Sequence, residues 1–184
     1  MSQVTVDDYF SCIVETLTRI NKTSLVDSIT HLKNQIKDGK RIFIAGNGGS
    51  SSIASHMVND LTKGLHSMGK DTTLIMSLND NYPTVSAIAN DINFESVFRI
   101  QLEMFARKGD SIILVSGSGN SRNILEAAQY AKQNEITVIG LTGFTGGKLF
   151  EIADFNFHIP IEDMQISEDL MSMFGHIVYK TILE

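Results

Sequence analysis

The chain has 184 residues, 42% of them hydrophobic and only two of them proline, which suits one domain with a real core and excludes disorder. Its net charge of -6 comes with no basic cluster longer than Ala106-Arg107-Lys108, which excludes affinity driven by nucleic-acid phosphates and leaves a small, locally neutralised anion open as a partner. Asp7, Asp8, Glu15 and Arg19 break any signal-peptide core and no run approaches a membrane span, so the expected compartment is the cytoplasm and no membrane partner is expected.

The first 38 residues read as helix, from Val6 to Lys37 with a break near Asn21 to Ser24. Val6, Phe10, Ile13, Val14, Leu17 and Ile20 recur there at helical spacing, a stripe that one sheet face need not consume. Cys12, the single cysteine, excludes an internal disulfide and suits an apolar helix face.

A strand over 41–45 then empties into Gly46-Asn47-Gly48-Gly49-Ser50-Ser51-Ser52 and a helix from Ser50 to Gly64. Glycines let backbone approach a ligand, the first N–H groups of a helix lack internal partners, and serines add neutral donors, so the pattern fits a phosphate. The order is neither a dinucleotide fingerprint nor a Walker A loop, because Ser51 breaks the G-x-G-x-x-G frame and no lysine follows the glycines.

Next come a strand over 72–77, a short helix from Thr84 to Asn90 and a longer one from Phe94 to Ala106. A second strand-to-helix turn of the same kind follows: strand 111–115 opens into Ser116-Gly117-Ser118-Gly119-Asn120-Ser121 before a helix over 121–133. Ser116, Ser118 and Ser121 can hold a phosphate by hydroxyl and backbone donors with no arginine clamp, and for Ser121 a plain helix cap is the other reading. Strand 136–141, a Gly143–Gly147 turn, a helical turn at Lys148–Ile152, strand 155–159 and a final helix from Gln165 to Leu183 complete the chain. Five apolar strands separated by helices predict a three-layer α/β sandwich on a parallel sheet, with both serine-rich turns on one edge.

Two histidines stand out. His56 and Asp60 are four residues apart and share a helix face, which suits a metal or a proton relay. Glu168 and His176 lie eight apart on the last helix, about 80° around and about 12 Å along its axis, so they converge on one point only by reaching toward each other. His31, His66 and His158 read as ordinary surface or core groups.

The chain resembles the sugar isomerase (SIS) fold and, within it, the phosphoheptose isomerases that convert sedoheptulose 7-phosphate to the aldose phosphate. The resemblance rests on Gly46-Asn47-Gly48-Gly49-Ser50, Ala54-Ser55-His56, Ala87-Ile88-Ala89-Asn90-Asp91, Ser116 through Ser121, Gly140-Leu141-Thr142-Gly143 with Gly146-Gly147, and Gly175-His176-Ile177. It implies one flavodoxin-like SIS domain over 1–184 with residues 1–38 as an oligomerisation segment. It implies a substrate site drawn from Asn47, Gly48, Gly49, Ser50, Asn90, Asp91, Gln101, Ser116, Ser118 and Ser121, and zinc on His56, Asp60, Glu168 and His176. Asp60 and His176 take the family's base and acid positions, and a homotetramer with sites between subunits is implied as well. Departures accompany the match: Asp60 stands where glutamate is usual, Glu168 where glutamine is usual, and Asn81, Gly64 and Ile166 where an aspartate and two arginines are usual, with Lys63 and Asp80 one position away from two of them. A non-catalytic sugar-phosphate sensor or partner-recruiting assembly protein is the alternative function.

Overall fold

The computed structural model describes residues 4–69 and 73–183. Helices α1 (Val6–Arg19) and α2 (Lys22–Lys37) precede an alternation of β1 (Ile42–Gly46), α3 (Gly49–Ser67), β2 (Ile75–Ser77), α4 (Tyr82–Asp91), α5 (Val97–Phe105), β3 (Ser111–Ser116), α6 (Arg122–Gln133), β4 (Thr137–Thr142), α7 (Gly147–Ile152), β5 (Phe155–His158) and α8 (Met164–Leu183). The expected strand over 72–77 begins at Ile75; residue 72 lies outside the described residues. The helix expected from Phe94 starts instead at Val97, because Asn93 turns the chain by accepting from the Ser96 N–H at 2.8 Å.

All four strand pairings are parallel, in the order β2-β1-β3-β4-β5, the doubly wound arrangement expected. Alternation along the strands feeds two cores. Ile42 and Ile44 of β1 face the layer of α2, α3 and α8, whereas Phe43 and Ala45 face α5 and α6. The chain order reverses between β1 and β3, so the turns after these two strands sit side by side at the carboxyl edge, where open α/β sheets bind ligands.

Helix ends follow local chemistry. Thr5 and Asp8 form a reciprocal capping box on α1, and the Asn21 side chain accepts from the N–H groups of Thr23 and Ser24 at the break before α2. The apolar stripe of α1 divides. Ile20 is buried and Ile13 and Leu17 pack on the core, with Cys12 beside them, while Val6, Phe10 and Val14 are exposed. Among the described residues no helix is long and apolar enough to cross a membrane.

Helices α3 and α8 run parallel in contact, and Gly175 brings them close: a Cβ there would lie 2.6 Å from Met57 Cγ. This pair carries most of the chemistry described below.

Candidate active site

At the switch point Gly48 adopts φ +54° and N-caps α3 without a side-chain bond, so the first turn of that helix faces the sheet edge uncapped by any side chain. Ser121 N-caps α6 and likewise makes no side-chain cap bond, which leaves its hydroxyl to a guest. The two turns enclose a cleft of about 250 Å³ lined by Asn47 and Ser50 on one side and Ser116, Gly117, Ser118 and Ser121 on the other. Ser50 and Ser116 are each only 5% exposed, and their hydroxyls find no partner among the described residues. Both serines line the cleft, where an acceptor arriving from outside can reach them. Gly119 lets the second turn close on the third: a Cβ there would collide with the Gly146 carbonyl oxygen.

The two turns are tied together by a residue absent from the sequence-based expectations. Asn47 Nδ2 donates to Asn123 Oδ1 at 2.9 Å, Asn123 Nδ2 donates back to Asn47 Oδ1 at 2.8 Å, and the Ile124 N–H adds a third bond to Asn123 Oδ1 at 2.9 Å. Asn123 is 2% exposed and shares its helix face with Ile124, Ala127, Ala128 and Ala131. A polar residue in that apolar register was the available signal. Asn79 braces the end of β1 in similar fashion, accepting from the Gly46 N–H and donating to the Gly46 carbonyl.

Further along α3 and α8 a second constellation forms. His56 Nε2 stands 3.0 Å from His176 Nε2 and 3.3 Å from Asp60 Oδ2, and His176 Nε2 stands 3.9 Å from the same oxygen. These three groups meet the spacing expected of metal ligands. For zinc bonds of about 2.0–2.1 Å in a tetrahedron, ligand atoms sit roughly 3.3 Å apart, and the three observed edges bracket that value. Two imidazoles and a carboxylate are an ordinary zinc donor set, so the residues fit the ion. The side chains of His56 and His176 are 50% and 58% exposed, an open mouth rather than a sealed structural site.

Glu168 is not part of that trio. It lines the serine cleft instead, with its carboxylate over Gly49: a Cβ on that glycine would lie 2.5 and 2.7 Å from the two oxygens. The eight-residue spacing of Glu168 and His176 thus separates two stations on one helix, the anion cleft and the histidine cluster.

The SIS domain family model matches residues 8–143. A phosphoheptose isomerase from Helicobacter hepaticus is 39% identical over 147 residues, which covers 80% of this chain and 74% of the relative. The chain belongs to the phosphoheptose isomerase family. Among solved structures, a phosphoheptose isomerase from Neisseria gonorrhoeae superposes with a TM-score of 0.87 at 26% identity over 96% of each chain. The Vibrio vulnificus NanR protein complexed with ManNAc-6P shares the fold alone, with a TM-score of 0.65 at 15% identity over 93% of this chain and 57% of that one.

Other residues singled out by the family resemblance lie away from the cleft in the single chain. Gln101 is buried and donates to the carbonyls of Leu78 and Val97, so it holds the end of β2 against α5. Asn90 and Asp91 are exposed at the end of α4 and pair with each other, Nδ2 to Oδ1 at 2.8 Å. Where the family's charged residues are missing, Asn81 caps α4 by accepting from Thr84, Gly64 is buried in α3 and Ile166 lies in the core. Asp80 accepts from Ser55 of α3 at 2.5 Å, and Lys63 is exposed beside Asn59 and Thr62. His31 and His158 are half-buried: His31 stacks on Phe155 and bonds Ser111, His158 bonds Thr142, and burial pushes both pKa values down.

Proposed function

We propose that this chain is an aldose–ketose isomerase that interconverts sedoheptulose 7-phosphate and its aldose 7-phosphate through an enediolate. The observation that carries the reading is the pairing of a serine-lined anion cleft with a His–Asp–His cluster on the same two helices. Ser50 and His56 are six residues apart on α3, a rise of about 9 Å, so a ligand that reaches both stations needs several bonds between its phosphate and its reacting carbons.

Ser50, Ser116, Ser118 and Ser121 take the phosphate, with the start of α3 and Asn47, and Gly48 and Gly49 allow the backbone approach. Asp60 acts as base toward the carbon next to the carbonyl and returns the proton to its neighbour, while His176 moves protons at the oxygens. Asp60 is shorter than the usual glutamate, yet its carboxylate closes to 3.3 Å from His56. His56, Asp60 and His176 hold zinc in this reading, with Glu168 the fourth member of the family's set and standing apart. When bound, zinc supplies Lewis-acid polarisation of the substrate oxygens.

The assembly follows from what one chain leaves undone. Val6, Phe10 and Val14 present an apolar face outward on α1, the cluster is half exposed, and Asn90, Asp91 and Gln101 do not line the cleft, all of which supports a homotetramer with sites completed between subunits. The compartment in this account is the cytoplasm, where Cys12 stays a thiol.

A non-catalytic sugar-phosphate sensor or partner-recruiting assembly protein is the second reading, favoured by the carboxylate inside the cleft. Incubation with a panel of ketose and aldose phosphates, with and without zinc, separates the two. Turnover of a member establishes the isomerase; tight binding of a member without turnover establishes the sensor.

A further inference from the structure

Glu168 brings a negative charge to a place that an incoming anion would also take. The cleft offers donors to an anion, namely four serine hydroxyls and a helix start with no side-chain cap, yet a half-buried carboxylate lies over Gly49 at its wall. Among the described residues that carboxylate makes no hydrogen bond or ion pair, and the start of α3 beneath it is its nearest favourable partner, the same donors an incoming phosphate would use. Two like charges roughly 5–6 Å apart at a protein surface repel enough to shift an affinity on the order of 10- to 100-fold. A bare phosphate entering the cleft meets that repulsion in full. A phosphate on a polyhydroxylated chain meets it with compensation, because chain hydroxyls supply donors to the unpaired carboxylate oxygens, and hydrogen bonds to a charged group are among the stronger ones.

We propose that Glu168 is a specificity-determining residue that makes the cleft reject free inorganic phosphate and accept phosphate only when a hydroxyl-bearing chain is attached. This rests on the anion-cleft assignment above and gives it a selectivity. The neighbouring geometry supports it: Met164, one turn before Glu168 on α8, also lines the cleft and lies against Gly117, so one helix brings an apolar and an acceptor group to the two turns.

The test is calorimetric titration of the full-length protein with inorganic phosphate and with glucitol 6-phosphate, which carries chain hydroxyls but no carbonyl to isomerise. Wild type, Glu168→Gln and Glu162→Gln are compared; Glu162 is an exposed carboxylate just before α8 and serves as the control for general field effects. Glu168→Gln is expected to bind inorganic phosphate about tenfold or more tightly than wild type and to gain much less for glucitol 6-phosphate, so the preference for the sugar phosphate falls. Glu162→Gln is expected to match wild type. Unchanged phosphate affinity in Glu168→Gln overturns the proposal, as does an equal gain for both ligands or an equal gain in Glu162→Gln. If neither ligand binds wild type or Glu168→Gln, the cleft assignment itself fails, a result distinct from the loss of selectivity alone.

Discussion

Replacement of Asn123 by alanine removes three hydrogen bonds at one stroke: the two that it exchanges with Asn47 and the one that it accepts from the Ile124 N–H. Each such bond contributes about 0.5–1.5 kcal/mol net, and the site is 2% exposed, so water does not replace them freely. The variant is therefore expected to lose about 2–4 kcal/mol, on the order of 5–10 °C in a chain of this length. The same change frees the Asn47 amide at the cleft wall, and sugar-phosphate affinity is expected to drop roughly tenfold, the cost of a misdirected bond to a charged group. Urea unfolding monitored by circular dichroism measures the first effect and calorimetric titration of the folded variant the second. Asn47→Ala breaks the same pair but keeps the Ile124 bond, so the double variant should cost little more than Asn123→Ala alone. A wild-type urea midpoint in Asn123→Ala refutes the stabilising role of the pair; a normal anion affinity in a destabilised variant refutes its role at the site.

Gly119→Ala should fail to fold or lose well over 3 kcal/mol, since φ is +62° and the new Cβ meets the Gly146 carbonyl oxygen, and expression with urea unfolding shows whether it does. His31 and His158 bind protons more weakly when folded than at their ordinary 6.5, so unfolding takes up protons and stability should fall as pH drops below about 6.5. Urea midpoints at pH 7.5 and 5.5 check this, and a flat profile, or one left unchanged by His31→Gln, contradicts it. Metal-replete protein should carry about one zinc per chain and His176→Gln should lose most of it, as read by elemental analysis; retention in the variant removes His176 from the site. Deletion of residues 1–20 should convert a tetramer into smaller, inactive species by light scattering, because the exposed Val6, Phe10 and Val14 leave with them; a truncated chain that still forms active tetramers contradicts that role.

The architecture was legible because its signals are local. Continuous apolar runs mark strands covered on both faces, and Gly48, Ser50, Ser116 and Ser121 mark turns whose place on one edge follows from right-handed crossovers. His56 and Asp60 could be paired from their spacing alone. The tie between Asn47 and Asn123 could not, because its partners are 76 residues apart and meet only through the order β1-β3. The destination of Glu168 was hidden for a related reason: spacing along α8 gives its distance from His176, but which station its carboxylate takes depends on the close passage of Gly49 on the neighbouring helix. Phe94 fell outside its helix because the Asn93 side chain offers the backbone a turn that competes with a further helical residue.

The central claim is that Asp60 moves a proton between adjacent carbons of a seven-carbon sugar phosphate. Sedoheptulose 7-phosphate incubated with the zinc-replete full-length protein in deuterated buffer and followed by proton NMR tests it most directly. The account predicts conversion to the aldose phosphate with solvent deuterium at carbon 2, and loss of both conversion and exchange in Asp60→Asn while sugar-phosphate binding persists. Absence of conversion and of deuterium incorporation in zinc-replete wild type, or full activity in Asp60→Asn, contradicts it.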